Sequence, residues 1–81
     1  MLTTLQEAHV AAVFPDCKAQ MSRYLAAGVE VVIGPQTECG PDVPPFAIAV
    51  ASDQAFWIDC CETVEAAKDR AQELGLIVVE R

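Results

Sequence analysis

FAIAVASDQAFWIDCC, residues 46–61, reads as a β-hairpin, and the rest of the chain can be placed around it. Phe46 to Ala51 alternates strictly, with Phe46, Ile48 and Val50 toward one face and Ala47, Ala49 and Ala51 toward the other. That is the two-residue period of a half-buried strand. Ser52-Asp53-Gln54 supplies a turn. Ala55 to Cys60 alternates as a second strand, which puts Phe56, Ile58 and Cys60 on one side and Trp57, Asp59 and Cys61 on the other.

Upstream of the hairpin, VEVVIG is a β-branched run that predicts a strand over Val29 to Ile33. Between the two lies GPQTECGPDVPP, residues 34–45, whose two Gly-Pro pairs and one Pro-Pro oppose both helix and ladder hydrogen bonding. A loop of that length is uncommon in a small domain unless it is functional or mobile. Downstream, Thr63 is an N-cap for a helix whose buried stripe is Val64, Ala67, Ala71 and Leu74, closed by Gly75. Leu76 to Glu80 is a final strand. A strand–helix–strand unit crosses over right-handedly, so this strand should run parallel to Ala55–Cys60 or to a neighbour of it.

At the other end, Thr4 and Glu7 have the spacing of a capping box. Leu5, Ala8, Ala12 and Val13 then mark the apolar stripe of a helix reaching Phe14, and Pro15 ends it. Asp16 can cap a second helix with the apolar face Cys17, Met21, Tyr24 and Leu25, and Gly28 supplies its left-handed closing residue. The order is therefore α-α-β-β-β-α-β. It predicts an α+β fold in a single domain, 1–81: a mostly antiparallel sheet of about four strands with a β-α-β ending and helices on one sheet face.

Charge and apolar content set the functional expectations. The 81 residues carry twelve acids, five bases and a formal charge of −7, and 53% of them are hydrophobic. A chain this short buries only about 60–65% of its unfolded surface, so apolar residues should remain uncovered and seek a partner or a second copy. No Lys or Arg occurs from Tyr24 to Ala67, while Glu30, Glu38, Asp42, Asp53, Asp59, Glu62 and Glu65 all fall there. A surface built from that stretch is single-signed, which opposes direct binding to nucleic acid. The opening MLTTLQEAHVAAVFP lacks a basic leader, and no apolar run approaches the roughly 20 residues of a membrane span. A cytoplasmic protein with reduced thiols is the expectation.

Candidate chemistry is sparse. Cys17 and Cys60 read as packing residues, and Cys61, adjacent to Cys60, should point to the opposite face. Cys39 in the proline-rich loop is the candidate reactive thiol, but neighbouring Glu38 and Asp42 would disfavour its thiolate. No Cys-x-x-Cys or His-x-x-x-His occurs; only a convergence of His9, Cys17 and Cys39 could hold zinc. His9 lies off the chosen apolar stripe and is expected to be solvated or half-buried. Asp53, Asp59, Glu62 and Glu65 read as a solvated acidic face, favoured near a helix start by its dipole. Gly34 and Gly40 are each followed by proline, which removes the amide a phosphate loop needs. Nothing here calls for a cofactor or a metal.

What remains is a surface. If helices cover Phe46, Ile48, Val50, Phe56 and Ile58, the reverse face presents Ala47, Ala49 and Ala51 beside Trp57, flanked by Asp59; otherwise the N-terminal helices pack there and Trp57 is core. The first arrangement predicts a non-enzymatic protein-binding module. Trp57 would be its anchor, and Asp53, Asp59, Glu62, Glu65, Glu38 and Asp42 an acidic rim selecting a partner with a basic surface. Small size, concentrated negative charge and missing catalytic groups are shared by phage-encoded inhibitors, including anti-CRISPR proteins that occlude nucleic-acid channels; the likeness is one of composition. The rival expectations are a structural or accessory subunit that homodimerises, and a thiol-based redox enzyme or sensor using Cys39.

Overall fold

In a computed structural model of the chain, the residues described are 2–13, 15–36 and 42–79. Helix α1 spans Thr4–Ala12 and a 3-10 turn Pro15–Cys17, followed by α2 at Lys18–Ala27. Strands β1 (Glu30–Pro35), β2 (Phe46–Val50) and β3 (Asp53–Cys61) come next, then α3 (Val64–Glu73) and β4 (Ile77–Val78). The four strands form one sheet in the order β3-β2-β1-β4. β1–β2 and β2–β3 are antiparallel, and β1–β4 is parallel. The order α-α-β-β-β-α-β is the one read from sequence. β4 runs in the same direction as β3 but with two strands between them, so α3 crosses the sheet to reach its far edge.

The helices share one side. Met21 and Leu25 of α2 and Ala67, Ala71 and Leu74 around α3 form one cluster with Val31, Ile48, Val50 and Ile58. Val31 pairs with Val50 and Ile33 with Ile48, so these strand residues belong to a single face. Of the stripe predicted for α3, Ala67, Ala71 and Leu74 are fully enclosed, while Val64 at its start is half-buried. Thr63 caps that helix by accepting from the Ala66 amide at 3.0 Å.

The start of α1 differs from the sequence reading. Thr3-Thr4-Leu5-Gln6-Glu7 contains two overlapping capping boxes, and the fold uses Thr3 with Gln6 instead of Thr4 with Glu7. The Gln6 amide N–H donates to the Thr3 hydroxyl at 3.2 Å, and the Thr3 N–H donates to Gln6 Oε1 at 2.8 Å. Gln6 wins because its Nε2 also donates to the carbonyls of Leu25 (3.1 Å) and Leu74 (2.7 Å), at the C-terminal ends of α2 and α3. The last carbonyls of a helix have no partner within the helix, so one buried amide ties off two helix ends. The face of α1 rotates accordingly. Gln6 and His9 are buried and Leu2, Val10 and Val13 pack on the core, whereas Leu5 is 50% exposed and Ala8 and Ala12 face outward.

Three further boundaries move. Asp16 lies inside the 3-10 turn that Pro15 opens, and Cys17 takes the cap position of α2 with no side-chain cap. Gly34 and Pro35 continue β1 instead of beginning the loop, because β4 pairs only with Glu30 and Val31 and leaves Pro35 free of a neighbour on that side. The hairpin turn shrinks to Ala51-Ser52, and Asp53 already pairs with Val50. β4 is shorter than the run predicted from Leu76 to Glu80; Val79 still donates to the Val31 carbonyl, and Glu80 lies outside the described residues. Both glycines expected to close helices adopt left-handed backbone, Gly28 at φ 61° and Gly75 at φ 73°.

Candidate functional site: the uncovered face of the sheet

The pairing register assigns each strand residue to a face, since directly opposed residues point the same way. Val32 pairs with Ala49 and Ala49 with Trp57; Gly34 pairs with Ala47 and Ala47 with Cys60. None of these belongs to the cluster under the helices. Together with Glu30 and its neighbour Ile77, which is 55% exposed, they make the second face of the sheet; among the described residues none of them joins the helix-packed cluster, although Val32, Ala47 and Ala49 are themselves buried.

β3 does not alternate as its sequence suggests. Asp59 pairs with Ile48 and Cys61 with Phe46, yet Trp57 pairs with Ala49, a register shift that leaves Ile58 as an extra residue. Such a bulge puts two consecutive side chains on one face and reverses the alternation beyond it. Ile58 and Asp59 therefore both face the helices, Cys61 follows them, and Cys60 joins Trp57 on the uncovered face. This corrects the expectation that Asp59 and Cys61 accompany Trp57.

The bulge is held by a polar cluster that sequence reasoning missed. His9 Nε2 lies 2.6 Å from the Ile58 carbonyl, and its Nδ1 lies 3.1 Å from Arg70 Nη2. The guanidinium can only donate, so Nδ1 accepts and the ring proton sits on Nε2, directed at Ile58. Arg70 Nε donates to Asp59 at 2.9 Å and Nη1 to Glu73 at 3.4 Å. The Cys60 amide donates to Asp59 Oδ1 at 2.8 Å. Side chains thus satisfy backbone groups of β3, an edge strand, along its bulged stretch, which opposes pairing with a further strand there.

A cleft of about 560 Å³ beside this cluster brings together His9, Cys17, Met21, Trp57, Asp59 and Arg70. Its chemistry is spent internally. Both His9 nitrogens are engaged, so the imidazole cannot take a proton from Cys17, and Asp59 is paired with a cation. Burial and then the Asp59 charge push the nearby Cys61 thiol up, with Arg70 only partly opposing them, so this thiol resists ionisation. Among the described residues, no group of three or more His, Cys, Asp and Glu is placed to hold a metal.

The remaining predicted site residues separate. Trp57 is half-buried and lines a groove of about 400 Å³ on the uncovered face. The groove's floor is Val32, Gly34, Ala47 and Ala49, and Gln36 stands across from Trp57. Gln36 is fixed there by its Nε2, which donates to the carbonyls of Val43 and Pro44. Asp53 accepts from the Tyr24 hydroxyl at 3.2 Å and is thereby drawn toward the helices. Glu62 and Glu65 are exposed between β3 and the first turn of α3, and Asp42 is exposed in the β1–β2 connection. Glu38 and Cys39 lie outside the described residues.

The described cations all lie on the helices, Lys18 and Arg23 on α2 and Lys68 and Arg70 on α3, while β1–β4 contain none. No family model, curated protein or solved structure matches the chain.

Proposed function

We propose that the protein is a non-enzymatic interaction module that docks the uncovered face of its sheet onto a basic protein surface and blocks it stoichiometrically. The observation that carries this reading is the segregation of the two layers. Every described cation is on a helix, and the other face of the sheet combines apolar residues and a half-buried tryptophan with Glu30, while Asp42 and Glu62 are exposed in the segments that adjoin its strands. Apolar centre with charged rim is the anatomy of a protein interface, and the sign of the rim selects a basic partner. A basic surface is commonly one that binds nucleic acid, so occlusion would resemble the action of anti-CRISPR proteins that fill such channels. The proposal places the protein in the cytoplasm. Among the described residues no helix is long and apolar enough to cross a membrane.

The test compares capture from lysate on immobilised wild-type chain and on Trp57→Lys. Support is a protein retained by the wild type alone, eluted by a salt step and displaced by nucleic acid. Retention that survives high salt, or that Trp57→Lys leaves intact, counts against the proposal, because an acidic rim loses its pull as the Debye length shrinks to about 3 Å at 1 M.

A further inference from the structure

We infer that His9 is a proton-operated clasp on Arg70: the neutral ring holds the guanidinium against the bulge of β3, and the protonated ring expels it. The groups involved lie on the helix side of the sheet, away from the face assigned to docking.

The clasp follows from the shape of a guanidinium. Nε and Nη2 lie on one edge of the planar group, a fork that ordinarily takes both oxygens of one carboxylate. Here Asp59 offers only one. Its Oδ1 accepts from the Cys60 amide at 2.8 Å, so Arg70 Nε takes Oδ2 at 2.9 Å and Nη2 turns to His9 Nδ1 at 3.1 Å. The other ring nitrogen faces the Ile58 carbonyl at 2.6 Å, and at 9% exposure the ring has little room to turn away. A proton therefore enters at Nδ1, where it sets an N–H against the N–H of Nη2. Arg70 must then leave.

The surroundings accommodate the charged ring as well as the neutral one. Besides His9, the titratable groups lining the cleft are Cys17, Asp59 and Arg70. From β3, the Ile58 carbonyl and the Asp59 carboxylate favour a cation at His9. From α1 itself, the ring stands in the last turn, where the helix carbonyls do the same. From α3, Arg70 opposes it, and Glu73, whose carboxylate is 3.4 Å from Nη1, can keep Arg70 once it lets go. The Arg70 side chain is already 28% exposed, so its way out is open. The thiols of Cys17 and of Cys61, which lies near Asp59 and Arg70, gain no charge in acid. Two arrangements thus differ in which cation holds Asp59, and a proton on His9 selects between them.

An NMR titration of the ¹⁵N-labelled chain from about pH 8 to about pH 5, the range in which histidine changes charge, tests this. At the upper end the ring should show the Nε2–H tautomer, and Arg70 should give separate Nη signals, as a held guanidinium does. On acidification the ring nitrogens and the Arg70 Nε and Nη signals should move with one midpoint. The two Nη signals should merge as the group swings free, while the amides of β1 and β2 stay in place. His9→Gln keeps a donor and an acceptor but gains no proton, so it should abolish the Arg70 transition; if that variant fails to fold, the coincidence of midpoints in the wild type decides alone. An Nδ1–H tautomer at the upper end, an Arg70 signal that ignores the titration of the ring, or a ring that stays neutral to the lower end overturns the clasp. So does an Arg70 transition that persists in His9→Gln, which would put the proton on Asp59 or Glu73. Loss of the whole folded spectrum at the same midpoint also overturns it, because acid would then unfold the chain instead of releasing one side chain.

Discussion

Gln6 holds together elements that no local pattern connects. Its two amide hydrogens serve carbonyls 19 and 68 residues away in sequence. Removing it takes the Nε2 donor from both; the Leu25 carbonyl keeps the Gly28 amide at 3.2 Å, so the larger loss, roughly 1–3 kcal/mol, falls on the Leu74 carbonyl, and the capping-box bond from the Thr3 N–H is lost as well. Gln6→Ala should therefore cost about 2–4 kcal/mol in urea unfolding, and Gln6→Glu no less, since a carboxylate cannot donate to either carbonyl. Cys61 gives a second residue-scale expectation. Its ionisation is pushed above the ordinary thiol value, first by burial and then by Asp59. The folded chain thus holds the proton longer than the unfolded one, so this group's contribution to stability is complete below the unfolded thiol pKa and is lost as pH rises through the folded value. At pH 8 Cys61 should be alkylated more slowly than an unhindered thiol. Asp59→Asn, which removes a raising charge, should speed that reaction, as mass spectrometry of the labelled peptide would report.

Two elements owe their placement to contacts made far along the chain. The left-handed glycines closing α2 and α3 approach each other: a Cβ on Gly28 would lie 3.1 Å from the Gly75 carbonyl oxygen, and one on Gly75 3.1 Å from Gln6 Nε2. Backbone strain and crowding combine, so Gly28→Ala should lower stability by about 1–2 kcal/mol, measured by thermal or urea unfolding. Helix α1 is fastened to the sheet through His9 and the bulge carbonyl of Ile58. In His9→Phe that carbonyl loses its donor, at about 1–3 kcal/mol, and hydrogen exchange should quicken in α1 before it does in the β1–β2 ladder. Of the predicted stripe Leu5, Ala8, Ala12 and Val13, Val13 packs on the core and the other three face outward, because apolar spacing alone counts methyl groups. Gln6 and His9 turn inward because each donates to carbonyls of other elements.

The molecule as a whole is two layers of different charge. Helices carry the described cations and shield the core; the strands carry none, and Glu30, Asp42 and Glu62 are exposed on or beside them. If the rim keeps copies apart, Glu30→Gln, Asp42→Asn and Glu62→Gln combined should raise self-association, seen as an increase in mass by light scattering, while changing stability by no more than about 0.5 kcal/mol per site. Added salt should move the wild type in the same direction.

The sequence by itself determined the element order, the caps at Thr63, Gly28 and Gly75, the stripe of α3 and the absence of cations from the sheet, because each depends on local spacing or on composition. Tertiary structure decided which capping box is used, which face α1 buries, where β3 slips by one residue and which carboxylates stay free. Asp59 shows why: its neighbours in sequence place it beside Trp57, and only the bulge opposite Ile48, stabilised by a histidine 49 residues before Ile58, turns it to the other face. Hydrogen-bond demands created by chain segments that meet only in the fold leave no trace in local periodicity.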